Sequence, residues 1–236
     1  MHKASSSLLV FVSAAALFAA DHTQPVAGAS AGPSPDVALG WLKYGNERHV
    51  GAKYVHWHQT MDRRQEVAKG QKPHAIVVSC SDSRVPPEIV FDQGLGDLFV
   101  VRVAGHVVGE KELGSIEYAA EHLNAPLIVV MGHQRCGALQ AAVGGGAAAG
   151  HIGSLIASLT QAVERSKPLP GDPLDNAIHT NVDTVVEQLR DSEPVLGHMV
   201  RSGKIKVVGA YYSLDTGKVE WLGEEGSRAR MSALQH

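Results

Sequence analysis

Residues 75–80, AIVVSC, and residues 127–136, LIVVMGHQRC, decide how this chain folds. Each begins as an apolar, largely β-branched run and ends in residues that carry chemistry. A short run without polar alternation reads as a strand buried on both faces, the habit of parallel sheets. Residues 98–103, LFVVRV, repeat the pattern. After them, Leu113, Ile116, Ala119, Ala120 and Leu123 recur at helical spacing within 112–123. Strands alternating with helices predict an α/β fold with a central, mostly parallel β-sheet flanked by helices.

Working outward, Ser34-Pro35-Asp36 is a helix start, an N-cap serine followed by proline. That helix is expected through Leu39, Leu42 and Lys43, with a polar region after it. A short helix is expected over 62–69, ended by Gly70. Residues 144–150, GGGAAAG, read as a loop, and helical patterns follow at 153–165, 174–190 and 195–202. Residues 205–214, Asp215-Thr216-Gly217 and 218–222 read as strand, turn and strand, so a C-terminal antiparallel strand should close the sheet. No fixed-period repeat or linker interrupts this, and a single domain over 35–225 is the simplest division.

The 236 residues are 44% hydrophobic and 19% charged, which excludes a disordered chain. A net charge of −3 lacks the basic surplus of a nucleic-acid binder. Two cysteines exclude a disulfide-dense scaffold. At the N-terminus, His2 and Lys3 precede the uncharged run Leu8–Ala20, LLVFVSAAALFAA, and Ala27-Gly28-Ala29 is a small-residue cleavage pattern. This reads as a secretory signal peptide over 1–29, followed by a flexible lead-in at 30–34. The 13-residue run is too short for a hydrocarbon core of roughly 30 Å. The expectation is an exported protein, in a bacterial periplasm, with no membrane span after cleavage and a polar tail at 226–236.

Cys80 directly follows the first strand; His133 and Cys136 follow the third. In an open parallel sheet the ligand site lies at the carboxyl ends of the strands. Two thiolates and an imidazole are zinc ligands, and three protein ligands leave the open position that catalytic zinc requires. Export favours the alternative, a Cys80–Cys136 disulfide. On residue chemistry alone both stay open. Asp82 and Arg84 form a charge-assisted pair beside Cys80. Next to a metal ligand, such a carboxylate would orient a bound nucleophile, and the arginine would keep it ionised.

The stretches Cys80-Ser81-Asp82-Ser83-Arg84 and His133-Gln134-Arg135-Cys136 resemble the signature of the β-class carbonic anhydrases. The likeness extends through 45–48, 99–105, 116–119 and 212–217 and covers most of 37–222. The resemblance implies reversible hydration of CO₂ to bicarbonate and a proton. It implies one Zn²⁺ per subunit held by Cys80, His133 and Cys136, with Asp82 and Arg84 as the catalytic dyad. The fourth ligand is water or hydroxide in an open form, or the Asp82 carboxylate in a closed form. Gln71 matches the substrate-bonding glutamine, and Phe99 and Tyr118 match positions lining the apolar substrate pocket or dimer interface. A homodimer or dimer of dimers is implied, with the N-terminal helix lying across the partner. His106 and His49 depart from the family pattern, which carries Asn and Phe there. So does Val77, at the position of a tryptophan that would join Arg102 and Tyr212 in a bicarbonate pocket. Hydrolysis of carbon disulfide or carbonyl sulfide is the rival activity on the same scaffold.

Overall fold

The computed structural model describes residues 32–145 and 148–223. The expected signal peptide at 1–29 and the tail at 226–236 lie outside the described residues, as do residues 30 and 31 of the lead-in.

Helix α1 (Pro35–Val50) starts where the capping signal puts it, with Ser34 Oγ accepting from the Val37 N–H at 3.4 Å. It runs on to Val50, past the polar residues expected to end it. The reason is a buried face without apolar side chains. A Cβ on Gly45 would lie 1.8 Å from the Phe91 carbonyl oxygen, so only glycine allows that approach. Asn46 Nδ2 donates to the carbonyls of Val90 and Gly217 at 3.2 and 2.9 Å, and its Oδ1 accepts from Val219 N–H at 2.8 Å. With Ala38 and Leu42, these residues seat α1 on its own chain's core, while Val37 and Tyr44 face outward.

Helix α2 (Met61–Val67) precedes strand β1 (Ala75–Ser79). Helix α3 (Pro87–Val90), strand β2 (Leu98–Arg102) and a 3-10 turn at Ala104–His106 follow, then helix α4 (Glu110–Glu121) and strand β3 (Leu127–His133). Helices α5 (Gly137–Gly144), α6 (Ile152–Ser166), α7 (Pro173–Asp191) and α8 (Leu196–Arg201) lead to strands β4 (Lys206–Tyr212) and β5 (Val219–Leu222). The strand order is β2-β1-β3-β4-β5, parallel except for β5, which runs antiparallel to β4. The α/β reading and the closing antiparallel strand are as expected. Helices α3 and α5 were not, because four residues opening on proline and eight bounded by glycine carry too few periodic positions to show.

One core packs around Val77, Phe91, Leu127, Val129 and Leu139, the other around Ile76, Ile116, Ile128, Val130 and Leu189, on the alternating faces of the strands. Helix α7 lies close against β3 and β4 because both strands present glycine beneath it. Cβ atoms on Gly132 and Gly209 would approach Val182 methyls to 2.7 and 2.9 Å.

Asp92 ties α1 to the segment that follows it. Its carboxylate accepts from Arg48 Nε at 2.5 Å and from the N–H groups of Val55 and His56 at 3.1 and 3.2 Å. Burial pushes this carboxyl up, but these donors outweigh it, and the folded value lies below the ordinary one. The stability this contributes is full above the unfolded value of about 3.9 and drains away as pH falls through the lower folded value. Asp92→Asn is therefore expected to cost about 2 kcal/mol at pH 7. In urea unfolding the gap between variant and wild type should narrow once the pH drops below about 4.

Candidate metal centre

Parallel pairing sets Ser79 of β1 beside Met131 of β3. Cys80 leaves β1 at the edge where β3 ends in His133. Cys136 is the N-cap residue of α5, reached through Gln134 and Arg135, the latter in the left-handed region at φ 53°. The two Sγ atoms and an imidazole nitrogen lie within 4.8 Å of one another, and all three residues are buried. Both cysteines are free, so the disulfide alternative is not what the structure contains. No other cluster of this kind occurs among the described residues.

The donors fit a zinc ion. His133 Nδ1 faces the Gln134 carbonyl at 3.0 Å, which puts its proton there and leaves Nε2 with a free lone pair. That Nε2 is buried and has no hydrogen-bond partner. A buried nitrogen aimed at two thiols without a partner is costly unless a cation receives it. The Cys80 thiol is pushed down, chiefly by Cys136, then by His133 and the backbone N–H groups of Gly105 and Asp82, against its burial. The Cys136 thiol is pushed up by Cys80 and by burial. The two thiols thus compete for ionisation, and a divalent cation would let both bind as thiolates. The backbone N–H groups of Ala138 and Leu139, in the first turn of α5 at the positive end of its dipole, pull the Cys136 thiol back down.

Asp82 stands beside this cluster, with Oδ2 at 3.9 Å from His133 Nε2. Its other partner is Arg84. Arg84 Nε and backbone N–H donate to Asp82 Oδ1 at 2.9 Å each, and Nη2 donates to Oδ2 at 2.7 Å. The Arg84 guanidinium holds the carboxyl well below the usual carboxylate range. A further bond from Arg84 Nη2 to the Arg135 carbonyl, at 3.4 Å, ties the dyad to the turn carrying His133 and Cys136. Asp215 grips that turn from outside, accepting from Arg135 at 3.0 and 2.6 Å and from Gln134 at 2.9 Å.

Arg102 braces the loop after β1. Its Nε donates to the Cys80 carbonyl at 2.9 Å and its Nη2 to the Asp82 carbonyl at 2.5 Å. Tyr212 places its hydroxyl 3.0 Å from His49 Nε2, and His49 Nδ1 meets Tyr54 Oη at 2.7 Å. His49 therefore sits in a polar chain rather than in the apolar contact a phenylalanine would make. Val77 is fully buried in β1. His106 is fully buried beside Asn181.

The structure brings Cys80, Asp82, Arg84, His133 and Cys136 together, and sets Gln71, Phe99 and Tyr118 apart from them. Gln71 is exposed ahead of β1, whose five residues span about 16 Å before Cys80. Phe99 pairs with Ile76 near the start of β1, and the Tyr118 ring lies 6.5 Å from the Phe99 ring. Sequence reasoning missed Asn181 and Asp215. Neither is near a ligand in sequence, and only the docking of α7 and the β4–β5 turn delivers them.

The sequence profile of the carbonic anhydrases matches residues 75–219. The chain is 40% identical over 192 residues to carbonic anhydrase 2 of Mycobacterium tuberculosis, covering 79% of this chain and 93% of that one. It is 38% identical over 194 residues to the carbonic anhydrase of Mycolicibacterium smegmatis, covering 80% and 94%. Among solved structures, the β-carbonic anhydrase of Coccomyxa in complex with acetazolamide superposes with a TM-score of 0.62 at 29% identity, over 70% of this chain and 81% of that one.

Replacing either thiol removes a third of the donor set. Cys80→Ser and Cys136→Ser are each expected to lose zinc on dialysis that leaves the wild type loaded, with activity down at least about 100-fold. Metal analysis beside the rate measurement checks this, and full occupancy in either variant would overturn the ligand assignment.

Proposed function

The chain belongs to the β-class of carbonic anhydrases, and on that premise we propose how its residues divide the reaction, where it acts and how it assembles. The reaction is the zinc-dependent, reversible hydration of CO₂ to bicarbonate and a proton. Bound zinc supplies a Lewis acid that makes water acidic enough to yield hydroxide near neutral pH. The observation that carries the reading is the buried Cys80–His133–Cys136 cluster with its unpartnered His133 Nε2.

With zinc bound, Asp82 would accept a hydrogen bond from the nucleophile and so orient it toward CO₂. Arg84 holds the carboxylate ionised and fixed through two parallel bonds. Arg102 keeps the loop from Cys80 to Asp82 in place through two carbonyls. Gln71, Phe99 and Tyr118 reach the site of a second copy, where the glutamine hydrogen-bonds substrate and the rings line an apolar pocket. Two features support this homodimer. The three residues lie far from their own chain's cluster, and β2 is an edge strand whose residues are all only half-buried. Tyr118, 49% exposed, is left for a partner to cover.

The site works in its open form at neutral pH. Asp82 has both oxygens on Arg84, Arg102 is spent on backbone carbonyls, and Tyr212 is engaged by His49. Valine at 77 offers an anion no N–H. Export rests on the N-terminal sequence, and a protein secreted through it would lose residues 1–29.

Stopped-flow CO₂ hydration by protein of measured zinc content tests the activity, with carbon disulfide and carbonyl sulfide as competing substrates. Asp82→Asn should keep its zinc and lose about 10- to 100-fold in kcat/KM. Added bicarbonate should leave the wild-type kcat/KM-pH profile unchanged near pH 7; a collapse deepened by bicarbonate would show that the site closes. Sedimentation of the mature protein should give at least a dimer. The mass of the periplasmic product should report loss of the first 29 residues, and an intact N-terminus would end the export proposal.

A further inference from the structure

The 3-10 turn at Ala104–His106 touches the metal centre through one atom. Gly105 N–H donates to Cys80 Sγ at 3.3 Å. Such a bond draws electron density from a metal thiolate and fixes the direction of its lone pairs. Its geometry depends on a backbone closed by one short-range bond, His106 N–H to the Val103 carbonyl at 2.8 Å. Gly105 stands at φ 72° and the next residue, His106, at φ 46°, so two left-handed residues follow one another. A non-glycine residue there costs of order 1 kcal/mol and persists only where its surroundings over-determine it.

Leu159 and Ala138 pack beside Gly105, and the side chain that hydrogen-bonds the turn is that of Asn181. Asn181, on the face of α7 turned to the sheet, is 3% exposed. Its Nδ2 donates to the Gly105 carbonyl at 2.9 Å and lies 2.7 Å from His106 Nε2. One amide nitrogen serves two acceptors, so His106 Nε2 carries the lone pair and Nδ1 the proton. Burial suits that neutral ring, pushing the His106 imidazolium down to about 4. His106 Nδ1 has no partner, so Asn181 is the one polar group that anchors this side chain. The asparagine is carried to the turn by the same close packing over Gly132 and Gly209 that seats Val182.

We propose that Asn181 is a positioning residue of the zinc site, clamping the Gly105–His106 turn so that the Gly105 N–H stays directed at the Cys80 sulfur. It acts through Gly105 and touches neither metal nor substrate. The proposal rests on Cys80 being a metal ligand, as argued above.

The test uses the full-length protein loaded with cobalt(II) or with zinc, as wild type, Asn181→Leu and Asn181→Ala. Leucine keeps the branching at Cγ and removes the donor. Val186→Ala, a buried change on the same helix away from the turn, controls for loss of packing. Without its hydrogen bond the Cys80 thiolate is richer in electrons, so the thiolate-to-cobalt charge-transfer band should move to lower energy in both Asn181 variants. Zinc release to a chelator should speed up about tenfold. The Val186→Ala protein should show neither change. Gly105 amide exchange should be slow in the wild type and fast in the variants. Wild-type band position and zinc release in Asn181→Leu would overturn the proposal. Should neither variant fold, exchange in the wild type decides, because a Gly105 amide that exchanges as freely as an exposed one overturns it. Failure of the wild type to take up one cobalt per chain would instead defeat the ligand assignment beneath it.

Discussion

Two sulfurs and an imidazole nitrogen packed together out of water form a donor set that needs a positive charge at its centre. Without one, the two thiols perturb each other's ionisation and the nitrogen has no hydrogen-bond partner. Much of the surrounding chain makes that concentration of electron pairs tolerable. Gly105 lends an N–H to one sulfur, the first turn of α5 lends its dipole to the other, and the Gln134 carbonyl fixes the imidazole tautomer. Arg84 and Arg102 then bring positive charge to the loop without entering the cluster. The site is a set of donors held against their mutual repulsion by the backbone.

This accounts for where the sequence was legible. The strand runs at 75–79 and 127–131 are apolar on both faces, so hydropathy alone identifies them, and the residues that leave them must meet at one sheet edge. Cys80, His133, Cys136 and the neighbouring Asp82 and Arg84 could therefore be placed without coordinates. Helix α1 was legible only in its first half. Its second half buries Gly45 and Asn46, and a hydrogen-bonded buried face carries no hydrophobic signature. Asn181 and Asp215 were invisible for another reason. Their effect on the site depends on α7 docking over paired glycines and on a turn between antiparallel strands, both long-range outcomes of packing.

The same distinction separates the parts of the site that one chain completes from those it does not. Metal donors and dyad are local to two strand ends and the loops after them, so the monomer assembles them. Gln71 and the Phe99–Tyr118 pair sit at the opposite end of those strands. Helix α1, expected to reach across a partner, spends its inner face on its own core and turns Val37, Tyr44 and Val50 outward.

The strand ladder between β1 and β3 has a further consequence, for where this chain can change length. Ser79 is level with Met131, so the ladder works as a ruler that brings Cys80 within one residue of His133 along the strands. One residue inserted within Ala75–Ser79 would slide Cys80 about 3.3 Å along the scale and turn its side chain to the wrong face. The connection between α5 and α6 lies outside the ruler, downstream of the last ligand, and its length enters none of these distances. An epitope tag, a fused domain or a new chain terminus belongs there, and the stretches on either side of Cys80 are closed to all three.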